Sequence, residues 1–232
     1  MLTRRFFYLF IISCFCVPAL AQTDAAWLKG GVNFANVSFN SEGEVDDASM
    51  LTSFHVGFMG DINIAKILAI QPGILLTGKG SKIQSGNPND NFYYKATANP
   101  LYIEVPVNLA IKIPLASSGS NFFVGAGPYI AVGVGGKRKI EGKSLAVSYS
   151  SREKIEYSND DPSTFNNEEG TGLGVMRRFD YGLNGTAGFQ LGNGMIALNY
   201  GYGLAKLQSG SNNSADNNNK HRVLSISVGF KL

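Results

Sequence analysis

Between residues 101 and 113 every odd position is apolar (Leu101, Ile103, Val105, Val107, Leu109, Ile111, Ile113), while the even set holds Tyr102, Glu104, Asn108 and Lys112. A period of two sends one set to each face of a strand. Residues 52–64 repeat it, with Phe54, Val56, Phe58, Ile62 and Ile64 set against His55, Gly57, Asp61 and Asn63. Stretches 122–134, 179–191 and 224–232 alternate in the same way, and 28–39, 68–79 and 196–204 do so more weakly. Helical spacing fits none of these eight segments as well.

Alternation alone also suits a soluble β-sandwich. The connections decide between the two. They run long (40–51), short (65–67), long (81–97), moderate (114–120), long (139–175), short (192–194) and long (208–220). That order predicts an all-β fold: a closed antiparallel transmembrane β-barrel with its N-terminus in the periplasm, short periplasmic turns and long extracellular loops. Trp27, Phe122 and Phe230 fall at periplasmic strand ends and Phe179, Tyr181 and Tyr202 toward extracellular ends, as two interfacial girdles require. Eight strands are expected. The longest loop contains Leu145, Val147, Tyr149, Ile155 and Tyr157, which suit a hairpin projecting above the membrane; were it to cross, the count would be ten. Pro72, Pro106 and Pro128 each remove a ladder donor inside a strand, so bulges are predicted there.

Arg4 and Arg5, the apolar run 6–12 and Ala19-Leu20-Ala21 have the three parts of a secretory signal peptide. Cleavage after Ala21 is predicted, dividing the chain into a signal segment (1–21) and a barrel domain (22–232). A membrane anchor fits poorly, because Ser13 and Pro18 break the apolar stretch. A lipoprotein box at Ile11-Ile12-Ser13-Cys14 is the sharper competitor, but it would leave a second apolar segment, 15–21, on the mature chain. Cys14 and Cys16 both lie in the segment to be removed, so no disulfide or cysteine-based metal site is expected. The formal charge of +3 includes Arg4 and Arg5, which leaves the mature chain nearly neutral and argues against nucleic-acid binding.

The strings Leu28-Lys29-Gly30-Gly31-Val32-Asn33, His55-Val56-Gly57-Phe58, Gln71-Pro72, Tyr102-Ile103-Glu104-Val105-Pro106, Gly125-Ala126-Gly127-Pro128-Tyr129 and Val228-Gly229-Phe230-Lys231 span nearly the whole mature chain. In them the sequence resembles the PorT-type outer-membrane β-barrel family of Bacteroidetes. The resemblance implies a small barrel in the cell outer membrane. It also implies an association with type IX secretion or gliding machinery, to which the name-giving member is tied. Gly73 stands where an acidic residue is expected, and the chain ends in Leu232 rather than an aromatic.

Charges inside a narrow barrel must pair. The inward candidates are His55, Asp61, Glu104, Asn108, Lys112, Arg178 and Asp180, read as a structural network in which Glu104 finds a cation among Arg178, Lys79 and Lys112. His55 and His221 stand in no spacing that marks a catalytic site and are read as polar strand or rim residues. The glycine runs at 170–174 and 125–127 lack the following helix and the lysine of a phosphate loop. Glu42, Glu44, Asp46, Asp47, Asp160, Asp161, Glu168 and Glu169 match no calcium loop and are read as solvated charge, and 212–219 is a polar low-complexity stretch. No cofactor, metal or catalytic set is expected. The expected role is structural or protein-interacting, as a monomer in contact with outer-membrane lipid and lipopolysaccharide and with envelope proteins through its loops. A small passive pore is the alternative, since inward Gly57, Gly73, Gly125, Gly127, Gly133, Gly182 and Gly188 would leave room, and a lipid- or lipopolysaccharide-acting enzyme follows.

Overall fold

Alternating faces become a barrel only if the first and last strands meet, and in a computed structural model of the protein they do: β1 (Ala25–Ser38) pairs with β11 (Lys220–Lys231) from Trp27↔Lys231 to Ser38↔Lys220. The structure describes residues 25–38, 48–116, 119–145, 147–157, 176–205 and 220–232. The signal segment with Cys14, the acidic clusters at 42–47 and 160–169, the glycine run 170–174 and the stretch 212–219 lie outside them.

From β1 the ring continues through β3 (Leu51–Ala65), β4 (Leu68–Gly78), β6 (Phe92–Pro114), β7 (Ser120–Ser144), β9 (Phe179–Leu191) and β10 (Gly194–Gly203) to β11, antiparallel throughout. Eight strands close the wall. Short turns join β3 to β4 at Lys66-Ile67 and β9 to β10 at Gly192-Asn193, where Gly192 takes a φ of 59° that suits glycine. The long connections all open at the other end. Phe58, Ile74, Leu109, Ile130, Leu198 and Ile226 point outward and uncovered, so the apolar set forms an external belt that faces lipid. Among the described residues no helix is long and apolar enough to cross a membrane; the strands do the crossing.

Two strands outrun the belt. β6 has 23 residues and β7 has 25, where roughly 9–11 suffice to cross. Their loop-side ends carry β5 (Ser81–Ser85) on one flank, which in turn pairs β2 (Ala48–Ser49), and β8 (Val147–Lys154) on the other. β8 pairs only with the part of β7 from Lys137 to Ser144, so a hairpin does form above the wall without joining it, but its arms are 137–144 and 147–154 rather than two halves of 145–157; among the described residues the wall has eight strands, not ten. One face of this blade is covered: Ala96 and Ala98 are buried beneath Ile155 and Met176, with Tyr94 and Tyr157 packed beside them.

Two expectations fail. The prolines cause no bulges. Pairing lapses beside Pro72, Pro106 and Pro128 and resumes in the same register, whereas the register shifts lie at Asn63/Ala65 and Leu101/Tyr102. The three prolines sit on the adjacent strands β4, β6 and β7, and the ladder absorbs each missing donor locally. Trp27 is also not a girdle residue. It points inward at 2% exposure, on the same face as Lys29 and Asn33, whereas Phe179, Tyr181, Tyr202 and Phe230 do point outward.

Candidate functional site in the barrel lumen

At the short-turn end Trp27, Met59, Phe123, Met195 and Ala197 pack into one buried apolar cluster. They come from β1, β3, β7 and β10, so the cluster spans the lumen and acts as a plug. Around it, Lys112 Nζ lies 2.7 Å from Asp61 Oδ2 and 3.0 Å from Asn63 Oδ1. Gln190 donates to Asp61 at 2.9 Å and receives from Asn121 at 2.9 Å.

The middle of the lumen is built on Asn33, which is fully buried. Its amide nitrogen donates to Thr77 Oγ1 at 2.9 Å, Gly78 O at 3.0 Å and Phe54 O at 3.1 Å. Its oxygen therefore faces His55 Nδ1 at 2.6 Å and Ser225 Oγ at 2.8 Å. That orientation makes Nδ1 the protonated ring nitrogen and leaves Nε2 to accept from Ser227 Oγ at 2.8 Å. Asn199 closes the circuit, donating to Ser227 at 2.8 Å and accepting from Lys29 Nζ at 2.8 Å and from Thr186 at 3.0 Å.

Toward the long loops Lys79 bridges two acids, with Nζ 2.6 Å from Glu104 Oε2 and 2.9 Å from Asp180 Oδ2. The ammonium sits 3.9 Å over the centre of the Tyr129 ring, whose hydroxyl donates to Asp180 at 3.2 Å. Asn184 donates to Glu104 at 3.3 Å. His221 is buried beside this cluster, edge-on to Tyr102 with ring centres 5.5 Å apart. Between this layer and the middle one is a cavity of about 60 Å³, lined by Lys29, Asn33, His55, Glu104, Asn184 and Asn199 among others. It has room for a few waters only.

The structure thus places His55, Asp61, Glu104, Asn108, Lys112 and Asp180 inside the lumen. Arg178 is not there: it is exposed, one residue before β9 begins, and its carbonyl accepts from Gly133 N at 2.7 Å. Lys112 serves Asp61 at the opposite end, which leaves Lys79 as the cation of Glu104. Among the described residues the lumen balances Lys29, Lys79 and Lys112 against Asp61, Glu104 and Asp180. Lys29, Asn33, Gln190, Asn199, Ser227 and the tyrosines Tyr102 and Tyr129 are lumen residues that sequence reasoning did not single out. At two of the inward glycines neighbouring atoms stand close. A Cβ on Gly127 would stand 1.9 Å from Val107 O, and one on Gly133 would stand 2.2 Å from the Tyr157 ring, so neighbouring atoms already occupy the space.

Ser227, His55 and Asn33 form a relay with the connectivity of a serine-hydrolase triad. Its nucleophile position is closed: Ser227 has no exposed surface and does not line the cavity. An accessible site for a lipid ester therefore does not exist at this serine. Among the described residues no group of three His, Cys, Asp or Glu side chains is placed to hold a metal.

A family model, the outer membrane protein beta-barrel domain, matches residues 21–209. The chain belongs to that family. Its location is accordingly the outer membrane. Among solved structures it is similar to the attachment invasion locus protein Ail of Yersinia pestis, at 13% identity over 90% of this chain and 98% of that one, with a TM-score of 0.39. It is also similar to OprG of Pseudomonas aeruginosa, at 13% identity, 91% and 97% coverage and a TM-score of 0.42. A third is Neisserial surface protein A, at 10%, 89% and 97%, with a TM-score of 0.38. No curated protein matches the sequence.

Proposed function

We propose that this outer-membrane protein is a sealed barrel with a structural or protein-interaction role, a membrane anchor that holds an extracellular blade at a fixed height and orientation. The observation that carries the reading is the layered filling of the lumen: the Trp27 and Phe123 plug, the Asn33 circuit and the Lys79 bridge lie in series along one axis. A charged, hydrogen-bonded filling that spans the lumen offers no continuous water path. Purified protein in planar bilayers is expected to give no reproducible conductance steps; resolved steps of constant size would favour the passive pore instead.

On this reading the chain is exported with a signal peptide cleaved after Ala21, acts as a monomer, and is not an enzyme. Its protein contacts are made by the extracellular strands β5 to β8 and the loops around them. The resemblance in the strings around His55, Pro106 and Pro128 leads us to propose further that the partner is a component of a secretion or gliding assembly. Cross-linking in native outer membranes tests that extension. Recovery of the same envelope protein through cysteines placed in β8, and not through cysteines in the β9–β10 turn, is expected; recovery of no partner from either position counts against it.

A further inference from the structure

Directly opposite residues of antiparallel strands point to the same face, and like charges placed there repel. The blade breaks this rule twice in succession. Lys137 faces Lys154, and Lys139 faces Arg152, with Lys82 and Thr97 completing the second row across β5 and β6. One row further on, Lys95 stands opposite Glu141. Glu141 is bound by Lys139 at 2.6 Å, and that bond, with Lys95 and Arg152 nearby, holds its carboxyl below the usual range. The pair Arg138 and Glu153 occupies the other face. Lys137, Arg152 and Lys154 are exposed and make no ion pair among the described residues. A face this repulsive destabilises its own sheet and calls for an anion from outside.

Its position says which anion. The register of β6 is continuous, so the face that carries Lys95, Thr97 and Asn99 is the face that carries Leu101, Ile103 and Val105 in the lipid-facing belt. The belt ends on β7 at Val134, and Lys137 and Lys139 follow three and five residues later. At ~3.3 Å per residue and a tilt of ~45° they stand roughly 7 and 12 Å above the hydrocarbon edge. The first row stands within the headgroup layer, which extends roughly 5–8 Å beyond the hydrocarbon, and the long side chains of the second row can reach down to it. The two rows of cations therefore look sideways into the outer leaflet, while the opposite face of the blade is already covered by Ile155 and Met176.

We propose that the outward face of β6, β7 and β8, with Lys137, Lys139, Arg152 and Lys154 at its centre, binds the phosphorylated headgroups of outer-leaflet lipid. This rests on the outer-membrane location alone and is independent of whether the lumen conducts. The test uses the full mature chain folded in zwitterionic micelles and titrated with lipid A as a diphosphorylated probe, with bound copies counted by native mass spectrometry. Binding is expected for the wild type and is expected to weaken about a hundredfold in Lys139→Gln/Arg152→Gln/Lys154→Gln, at roughly a factor of five per cation near an anionic surface. Charge-preserving Lys139→Arg/Lys154→Arg is expected to retain it, as is Lys66→Gln in the short β3–β4 turn. The heat-induced gel shift confirms that each variant is folded. Equal affinity in the triple variant, or no binding by the wild type, overturns the proposal. Full displacement by millimolar inorganic phosphate overturns the lipid as the ligand in favour of a soluble anion.

Discussion

Lys79→Met is expected to cost the folded barrel about 3–5 kcal/mol, the usual consequence of removing one partner from a buried ionic cluster. Lys79 is the shared cation of Glu104 and Asp180, all three being nearly excluded from solvent. Without it two carboxylates share one enclosed space, and each loses its strongest donor. Tyr129 still donates to Asp180 and Asn184 to Glu104, but neither carries charge. Glu104→Gln alone should cost less, because Lys79 keeps Asp180 and the glutamine still accepts from Asn184. The measurement is urea unfolding in lipid vesicles, with the heat-induced gel shift as a second readout. Combining Lys79→Met with Glu104→Gln and Asp180→Asn removes the unpaired charges and is expected to recover much of the loss. A Lys79→Met barrel that unfolds with the wild type would show that the bridge does not hold the wall together.

The sequence made this cluster legible by half. Alternation assigns faces, and it put Glu104, Asn108 and Lys112 on one side of β6, His55 and Asp61 on one side of β3, and Asp180 with them inside, where the structure has them. Alternation says nothing about which strands meet across the ring or how far they are staggered, and partners depend on that stagger. Lys79 and Asp180 are 101 positions apart and Lys29 and Asn199 are 170 apart; no local pattern joins them. Arg178 has the inward parity of β9 but lies one residue outside the strand, where the side chain is no longer held to a face. Trp27 stands near the membrane edge, a height that suits a girdle. Its parity with Lys29 and Asn33 already pointed inward, but Gly30 and Gly31 break the alternation of β1 and weaken that signal. The prolines misled for a different reason. A ladder can lose single donors without inserting a residue, and that outcome depends on neighbouring strands the sequence does not align. The blade was half visible: the hairpin at Tyr149 was expected, but the cationic row appears only once β7 and β8 are paired.

The Trp27 side chain gives the second large effect, because it fills the lumen at the point where four strands supply the plug. Trp27→Ala is expected to lower stability by about 3–5 kcal/mol, the range for deleting a large buried aromatic whose surroundings cannot collapse. The wall around it is a hydrogen-bonded ring, so β1 and β3 cannot move inward without breaking pairs such as Trp27↔Lys231 and Trp27↔Met59. Trp27→Phe should recover part of the loss, since Phe123, Met59 and Met195 keep an apolar contact to pack against. Stability and sealing should then separate. The Asn33 circuit and the Lys79 bridge lie in series with the plug, so the Trp27→Ala barrel, once folded, is expected to stay silent in planar bilayers. Conductance steps in that variant but not in the wild type would locate the seal at the plug alone, and would mean that the polar layers above it pass ions.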